Sequence, residues 1–169
     1  MKAKIALVFV LLSIGLLLSF KSITQHDCMV FLSLAAKEKI KVYSDALKSK
    51  EIASLGHHFA SEDYLMITIL DSKNNCYQVE VAYAIAGKSI RGWISHTEKL
   101  AVYAKASNKK IRFYQSFERN SKVTTAAYNP NELKVLAYHK GWLKVGEGKT
   151  VLGWLPMEEQ CGNPYTTCN

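Results

Sequence analysis

Residues 132–155 read ELKVLAYHKGWLKVGEGKTVLGWL, three short strands joined by two tight turns. Leu133, Val135 and Ala137 recur at every second residue, with Lys134 between the first two, which is a strand period and not a helical one. His139-Lys140-Gly141 breaks that run, Trp142 to Val145 carries the next strand, and Gly146-Glu147-Gly148-Lys149 breaks it again before Val151 to Leu155. The stretch is a β-meander with one face to bury. With Leu143 and Val145 facing the core, alternation places Trp142 and Lys144 on the other face.

Upstream the same order recurs. Tyr64 to Leu70 fits a core strand and stops at the turn-rich Asp71-Ser72-Lys73-Asn74-Asn75. Cys76 to Ile85 is a long strand with Tyr77, Val79, Val81, Tyr83 and Ile85 on one side. Ala86-Gly87-Lys88-Ser89 turns it, and Ile90-Arg91-Gly92-Trp93-Ile94 returns. Further back, Ile40-Lys41-Val42-Tyr43 has its counterpart in Ile111-Arg112-Phe113-Tyr114, and Ile52 and Val123 follow the two tyrosines at the same offset. Between these anchors, Ser44 to Gly56 reads as a polar loop. The chain therefore reads as an internal duplication. Aligned on Gly92-Trp93-Ile94 and Gly153-Trp154-Leu155, Cys76 falls where Trp142 stands. Leu100-Ala101-Val102-Tyr103 closes the first copy after a turn at His96-Thr97-Glu98, and Ser107-Asn108-Lys109-Lys110 is the linker candidate. An apolar patch, Met29 to Ala36, precedes both copies.

At 169 residues and 49% hydrophobic, the chain can hold one ordinary domain or two small ones. A charged fraction of 21% with three prolines argues against disorder. Lys2 and Lys4 precede an apolar run from Ile5 to Phe20, and polar residues resume at Lys21, the layout of a secretory signal peptide over residues 1–22. The run is shorter than the roughly 20 apolar residues of a spanning anchor. If it is retained, it is the one membrane contact expected. Removing Lys2, Lys4 and Lys21 leaves 19 basic against 14 acidic residues, a net charge of about +5. Outside the cytoplasm an even set of cysteines reads as disulfides. Cys28, Cys76, Cys161 and Cys168 allow three connectivities, of which a local Cys161–Cys168 bridge closing the tail, with Cys28 to Cys76, is the simplest.

The two copies resemble bacterial Src-homology-3-type domains, small five-stranded barrels often found in tandem on exported proteins. The resemblance rests on the strands ending at Tyr43 and Tyr114, on Gly-Trp-Leu-Lys-Val at Gly141 to Val145, and on the strand ends Gly-Trp-Ile and Gly-Trp-Leu. The ending from Cys161-Gly162-Asn163-Pro164 to Thr167-Cys168-Asn169 also resembles the tail of exported two-module bacterial proteins. The Asn-Val-Arg-x-Gly-Pro opening common in that family is absent. The resemblance implies an all-β chain of two tandem five-stranded barrels after a signal helix, the first over 27–105 and the second over 106–169.

No His-Glu-x-x-His, Gly-x-Ser-x-Gly or phosphate-cradling glycine loop is present, and no catalytic residue, cofactor or metal site is expected. Cys76 as a nucleophile, or His57-His58 with Glu62 and Asp63 as a metal cluster, marks the hydrolase alternative. The aromatics point elsewhere. Tyr43, Tyr114, Trp142 and Trp154 stand at fixed points of the repeat, where related barrels place either core or the edge of a groove for extended peptides. The expectation is an exported, non-enzymatic protein of the periplasm or cell surface. Through an aromatic groove of the second barrel it takes an envelope ligand, either a cell-wall peptide or an extended segment of an envelope protein. The basic residues are interleaved with acidic ones, which reads as a mixed solvated surface, and nucleic acid is not an expected partner of an exported protein. A scaffold without a groove is the structural alternative.

Overall fold

The computed structural model describes residues 27–97, 99–105 and 110–165. The signal segment, most of the linker candidate and Cys168 lie outside the described residues. Among the described residues the chain is all-β, with thirteen strands and two 3-10 turns, and no helix is long and apolar enough to cross a membrane. The strands are β1 (Cys28–Leu32), β2 (Ile40–Tyr43), β3 (Glu51–Leu55), β4 (Leu65–Lys73), β5 (Cys76–Tyr83), β6 (Ser89–Ser95), β7 (Leu100–Ala104), β8 (Lys110–Tyr114), β9 (Val123–Ala127), β10 (Leu133–His139), β11 (Trp142–Glu147), β12 (Thr150–Pro156) and β13 (Gln160–Cys161).

Hydrogen bonding joins twelve of them into one antiparallel path, β3-β2-β6-β5-β4-β1-β7-β10-β11-β12-β8-β9, while β13 pairs with β7 off the path. The halves of this path have the same internal order. β3-β2-β6-β5-β4 on one side of the central pair matches β9-β8-β12-β11-β10 on the other, and the match extends to single residues. Tyr43 faces Trp93 as Tyr114 faces Trp154. Cys76 faces Ser95 as Trp142 faces Pro156, so the register sets Cys76 at the place of Trp142. A β-bulge falls between Ile69 and Asp71 in one unit and between Val135 and Ala137 in the other. It is followed in each by a two-residue turn with both central φ positive, Asn74-Asn75 at 52° and 56° and Lys140-Gly141 at 41° and 85°, the primed geometry whose twist suits a hairpin.

Among the described residues the closed barrels expected at 27–105 and 106–169 are not formed: the path is open. The edge each unit needs for closure is already bonded, because β4 offers it to β1 and β10 offers it to β7. The apolar patch after Cys28 supplies β1, which pairs with β4 and β7 and is buried at four of its five positions. A second correction concerns Ser44 to Gly56, where a strand, β3, pairs with β2 through Ile40 to Tyr43. The last correction concerns the cysteines: Cys28 and Cys76 are free and buried. Cys28 stands opposite Ile69 on one edge of β4, and Cys76 opposite Lys73 on the other. Four residues along a strand and two strand spacings are about 13 Å and 10 Å, whereas a bridge needs Cα atoms within about 7 Å. Cys161 is disulfide-bonded.

One hydrophobic core runs through both units. Val30 and Leu32 from β1, Ile67 and Ile69 from β4, and Val79 and Val81 from β5 join Val102, Ile111, Leu143, Val145 and Leu155, all buried. Glu132 ties the units at the surface, its carboxylate accepting from Ser33 Oγ at 2.7 Å and Leu34 N at 3.1 Å.

Candidate functional site

On β11, Leu143 and Val145 are fully buried while Trp142 and Lys144 are half-buried on the opposite face, as alternation requires. Directly opposed residues of antiparallel strands share a face. His139 and Pro156 flank Trp142, Trp154 faces Lys144, and Tyr114 faces Trp154, so one outer surface of the second unit collects these rings. The loop 115–122 folds over it. That loop is closed by Gln115 N donating to Lys122 O at 2.9 Å and is braced by Ser121 Oγ, which donates to Ser116 O at 3.2 Å. It lays Phe117 between His139 and Trp154, with centroids 3.8 and 5.4 Å away. It also brings the Arg119 guanidinium over Trp142, 5.1 Å from the ring centroid, a cation–π distance. Tyr114 meets Trp142 edge-on at 5.1 Å.

Beside Trp142 opens a cleft of about 680 Å³ lined by Lys105, Arg119, Lys140, Met157 and Glu158. Arg119 is ion-paired with Glu158. The hydrogen bond from Arg119 holds the Glu158 carboxyl below the ordinary carboxylate range, and the same contact raises the guanidinium. Behind the cleft, Glu159 is 1% exposed and accepts from Arg112 N at 3.1 Å and Arg112 Nε at 2.6 Å. This pins the turn that carries Met157 and Glu158 to β8. Lys105 is placed by its own backbone, its N–H donating to Glu159 O at 3.0 Å.

Of the four aromatics expected to form a groove, the structure brings Tyr114, Trp142 and Trp154 together. Tyr114, however, is 5% exposed and floors the cluster instead of lining an opening. Tyr43 lies in the first unit opposite Trp93, and among the described residues no ring contact joins it to the cluster. At the first unit's equivalent of Trp142, Cys76 is 0% exposed. His96 covers this corner. Its ring lies 4.0 Å from that of Tyr77, its Nε2 is 3.1 Å from Ser72 Oγ, and it bonds the Cys76 backbone; burial pulls its pKa down. Burial also pushes the Cys28 thiol up to about 12, against a smaller opposing effect of its hydrogen bond to the Gln160 side chain.

The His57-His58 loop is tied up structurally. His57 Nε2 donates to Leu32 O at 2.9 Å and Nδ1 accepts from Leu65 N at 3.1 Å, so neither nitrogen has a lone pair to offer a metal. His58 stacks on Tyr83 with centroids 4.3 Å apart. Asp63 accepts from Ile85 N and Ala86 N at 2.7 and 3.2 Å. Among the described residues no group of three or more metal-ligating side chains is found.

The residues that sequence reasoning missed are Phe117, Arg119, His139, Lys105, Lys140, Met157 and Glu158. Apart from His139, at the end of β10, and Lys140, in the turn before Trp142, they reach the site through segments that carry no periodic signal.

No protein-family model matches the chain, and no curated protein is found similar to it. Among solved structures, NlpC1 from Trichomonas vaginalis aligns with 14% identity and a TM-score of 0.32 over 83% of this chain. The chain spans about half of that protein, 47%. A superposition that loose assigns neither fold nor activity.

Proposed function

We propose that the chain is an exported, non-enzymatic binding protein of the cell envelope, made of two divergent Src-homology-3-like units. The second unit takes a cell-wall peptide or an extended segment of an envelope protein at the cleft beside Trp142. One observation carries this reading: the register places Trp142, half-exposed and flanked by cations, where the first unit has a buried cysteine covered by His96. A core does not need that indole on its outer face, whereas a peptide site does. The non-enzymatic part is supported by the burial of Cys76, which removes the thiol from substrate, and by the engagement of both His57 nitrogens. Retention of the mature protein on purified cell wall and on immobilised envelope extract tests the reading. Trp142→Ala, with the fold intact by circular dichroism, is expected to lose retention; unchanged retention removes the cleft from the function.

A scaffold role is favoured by a separate feature. β9 ends the strand path, and all five of its residues, Val123–Ala127, are exposed, leaving an uncharged edge open to strand addition. Sedimentation would show it as a stable dimer or co-purifying partner that persists in Trp142→Ala and is lost when Thr125 is replaced by proline.

A further inference from the structure

We infer that the ligand of the Trp142 cleft is a short peptide bearing a free carboxylate, which seats between Lys105 and Lys140. Its neighbouring aliphatic side chain lies on Trp142 and Met157. This rests on the binding role proposed above and narrows its ligand to one chemical class.

The cleft's charges are unequal in what they are free to do. Among the described residues Glu158 is the one acidic residue of its lining, and that carboxylate is already engaged by Arg119. Lys105 and Lys140 enter none of the ion pairs found among the described residues. Two lysines without an ion-pair partner therefore line one opening, and a ligand carboxylate supplies the counter-charge. The apolar part of the lining, Trp142, Pro156 and Met157, sits within the same cleft. An anion that carries an aliphatic side chain on the next atoms satisfies both surfaces, which a polyol phosphate does not.

Lys140 holds a position that a turn by itself does not favour. Its φ is 41°, in the left-handed region that disfavours a long side chain. At the equivalent turn position the first unit has Asn74 at φ 52°, a residue suited to that geometry. The repeat thus exchanges asparagine for lysine, and cysteine for tryptophan, at two positions separated by one residue on the cleft rim. Lys105 comes from the end of β7, outside the second unit's own strands, and its N–H is fixed to Glu159 O. The site is consequently complete only when both halves of the chain are present.

The test uses the full mature chain, acetyl-Ala-Ala as the free acid and as the carboxamide, and inorganic phosphate as a competitor. Binding is followed by the indole N–H resonance of Trp142. The acid is expected to bind about tenfold more tightly than the amide, the order expected of one charge-assisted hydrogen bond. Lys140→Asn and Lys105→Gln should each remove most of that preference, bringing the acid and the amide to similar affinity. Equal binding of acid and amide overturns the carboxylate assignment; if both are lost in Trp142→Ala, the binding role of the cleft stands. Phosphate binding more tightly than the acid also overturns the peptide assignment. Absence of any shift with either peptide overturns it as well, and wall retention then judges the broader role by itself.

Discussion

Replacing Gly92 or Gly153 with alanine probes the contact on which both units rest. A Cβ at Gly92 would stand 2.6 Å from Val42 Cγ1 and 2.7 Å from Tyr43 O; at Gly153 it would stand 2.7 Å from Tyr114 O and 3.2 Å from Phe113 Cβ. In each unit the glycine lets the strand before its tryptophan approach the carbonyl of the equivalent tyrosine. Overpacking of this kind costs about 1–3 kcal/mol. Gly153 also has φ +132°, a strain that adds about 1–3 kcal/mol for an L side chain. Gly92→Ala is therefore expected to lose about 1–3 kcal/mol and Gly153→Ala about 2–6 kcal/mol, with Tm falling about 2–4 °C per kcal/mol. Gly148→Asn is the control. Its φ is +56° with nothing within 4 Å of an added Cβ, and asparagine tolerates that region, so the change stays within about 0.5 kcal/mol. Urea unfolding followed by circular dichroism measures all three. Alanine variants as stable as the control, or a Gly92 variant weaker than the Gly153 one, would refute the shared-contact reasoning.

The remaining predictions concern the cysteines, the buried carboxylate and pH. Thiol titration of the non-reduced protein should find Cys28 and Cys76 unreactive when folded and both titratable in denaturant, since both are 0% exposed and burial holds the Cys28 thiol protonated; no thiol in denaturant would contradict their free state. Glu159→Ala removes the carboxylate that accepts from both Arg112 N and Arg112 Nε, and losing hydrogen bonds to a charged group costs about 1.5–3 kcal/mol; equilibrium unfolding reads the loss. For His96 the folded pKa lies below its ordinary 6.5 because burial disfavours the cation. The unfolded chain takes up that proton first, so this contribution to stability is present above pH 6.5 and declines as pH falls below it. His96→Gln should flatten that part of the stability profile, and proton NMR of the ring would give the folded value directly.

Where the chain's local chemistry matched its final environment, the sequence was legible. The meander 132–155 shows its strands because one face of each is buried and the turn residues announce the breaks. β1 was hidden for the opposite reason: lying between the two units and covered on nearly every position, CMVFL has no alternation to read. VTTAA of β9 buries nothing and is a strand only through its ladder to β8. The barrel closure implied by the resemblance failed on a non-local fact, the capture of the β4 and β10 edges by β1 and β7, which no repeat alignment carries. Counting cysteines likewise missed that the two sit on opposite edges of β4. At the site, alternation placed Trp142 correctly on the outer face, yet Tyr114 on that same face is buried because Trp142 covers it. Arg119 and Phe117 depend on how the loop 115–122 folds back, and local pattern says nothing about that.

The binding role of the Trp142 cleft is tested by following the indole N–H resonances of Trp93, Trp142 and Trp154 while solubilised cell-wall fragments are added to the protein. Trp142 is expected to shift first and furthest, Trp154 to follow through Phe117 and Tyr114, and Trp93 to stay in place. A shift led by Trp93, or three resonances that do not move while the protein is retained on the same wall, would contradict it.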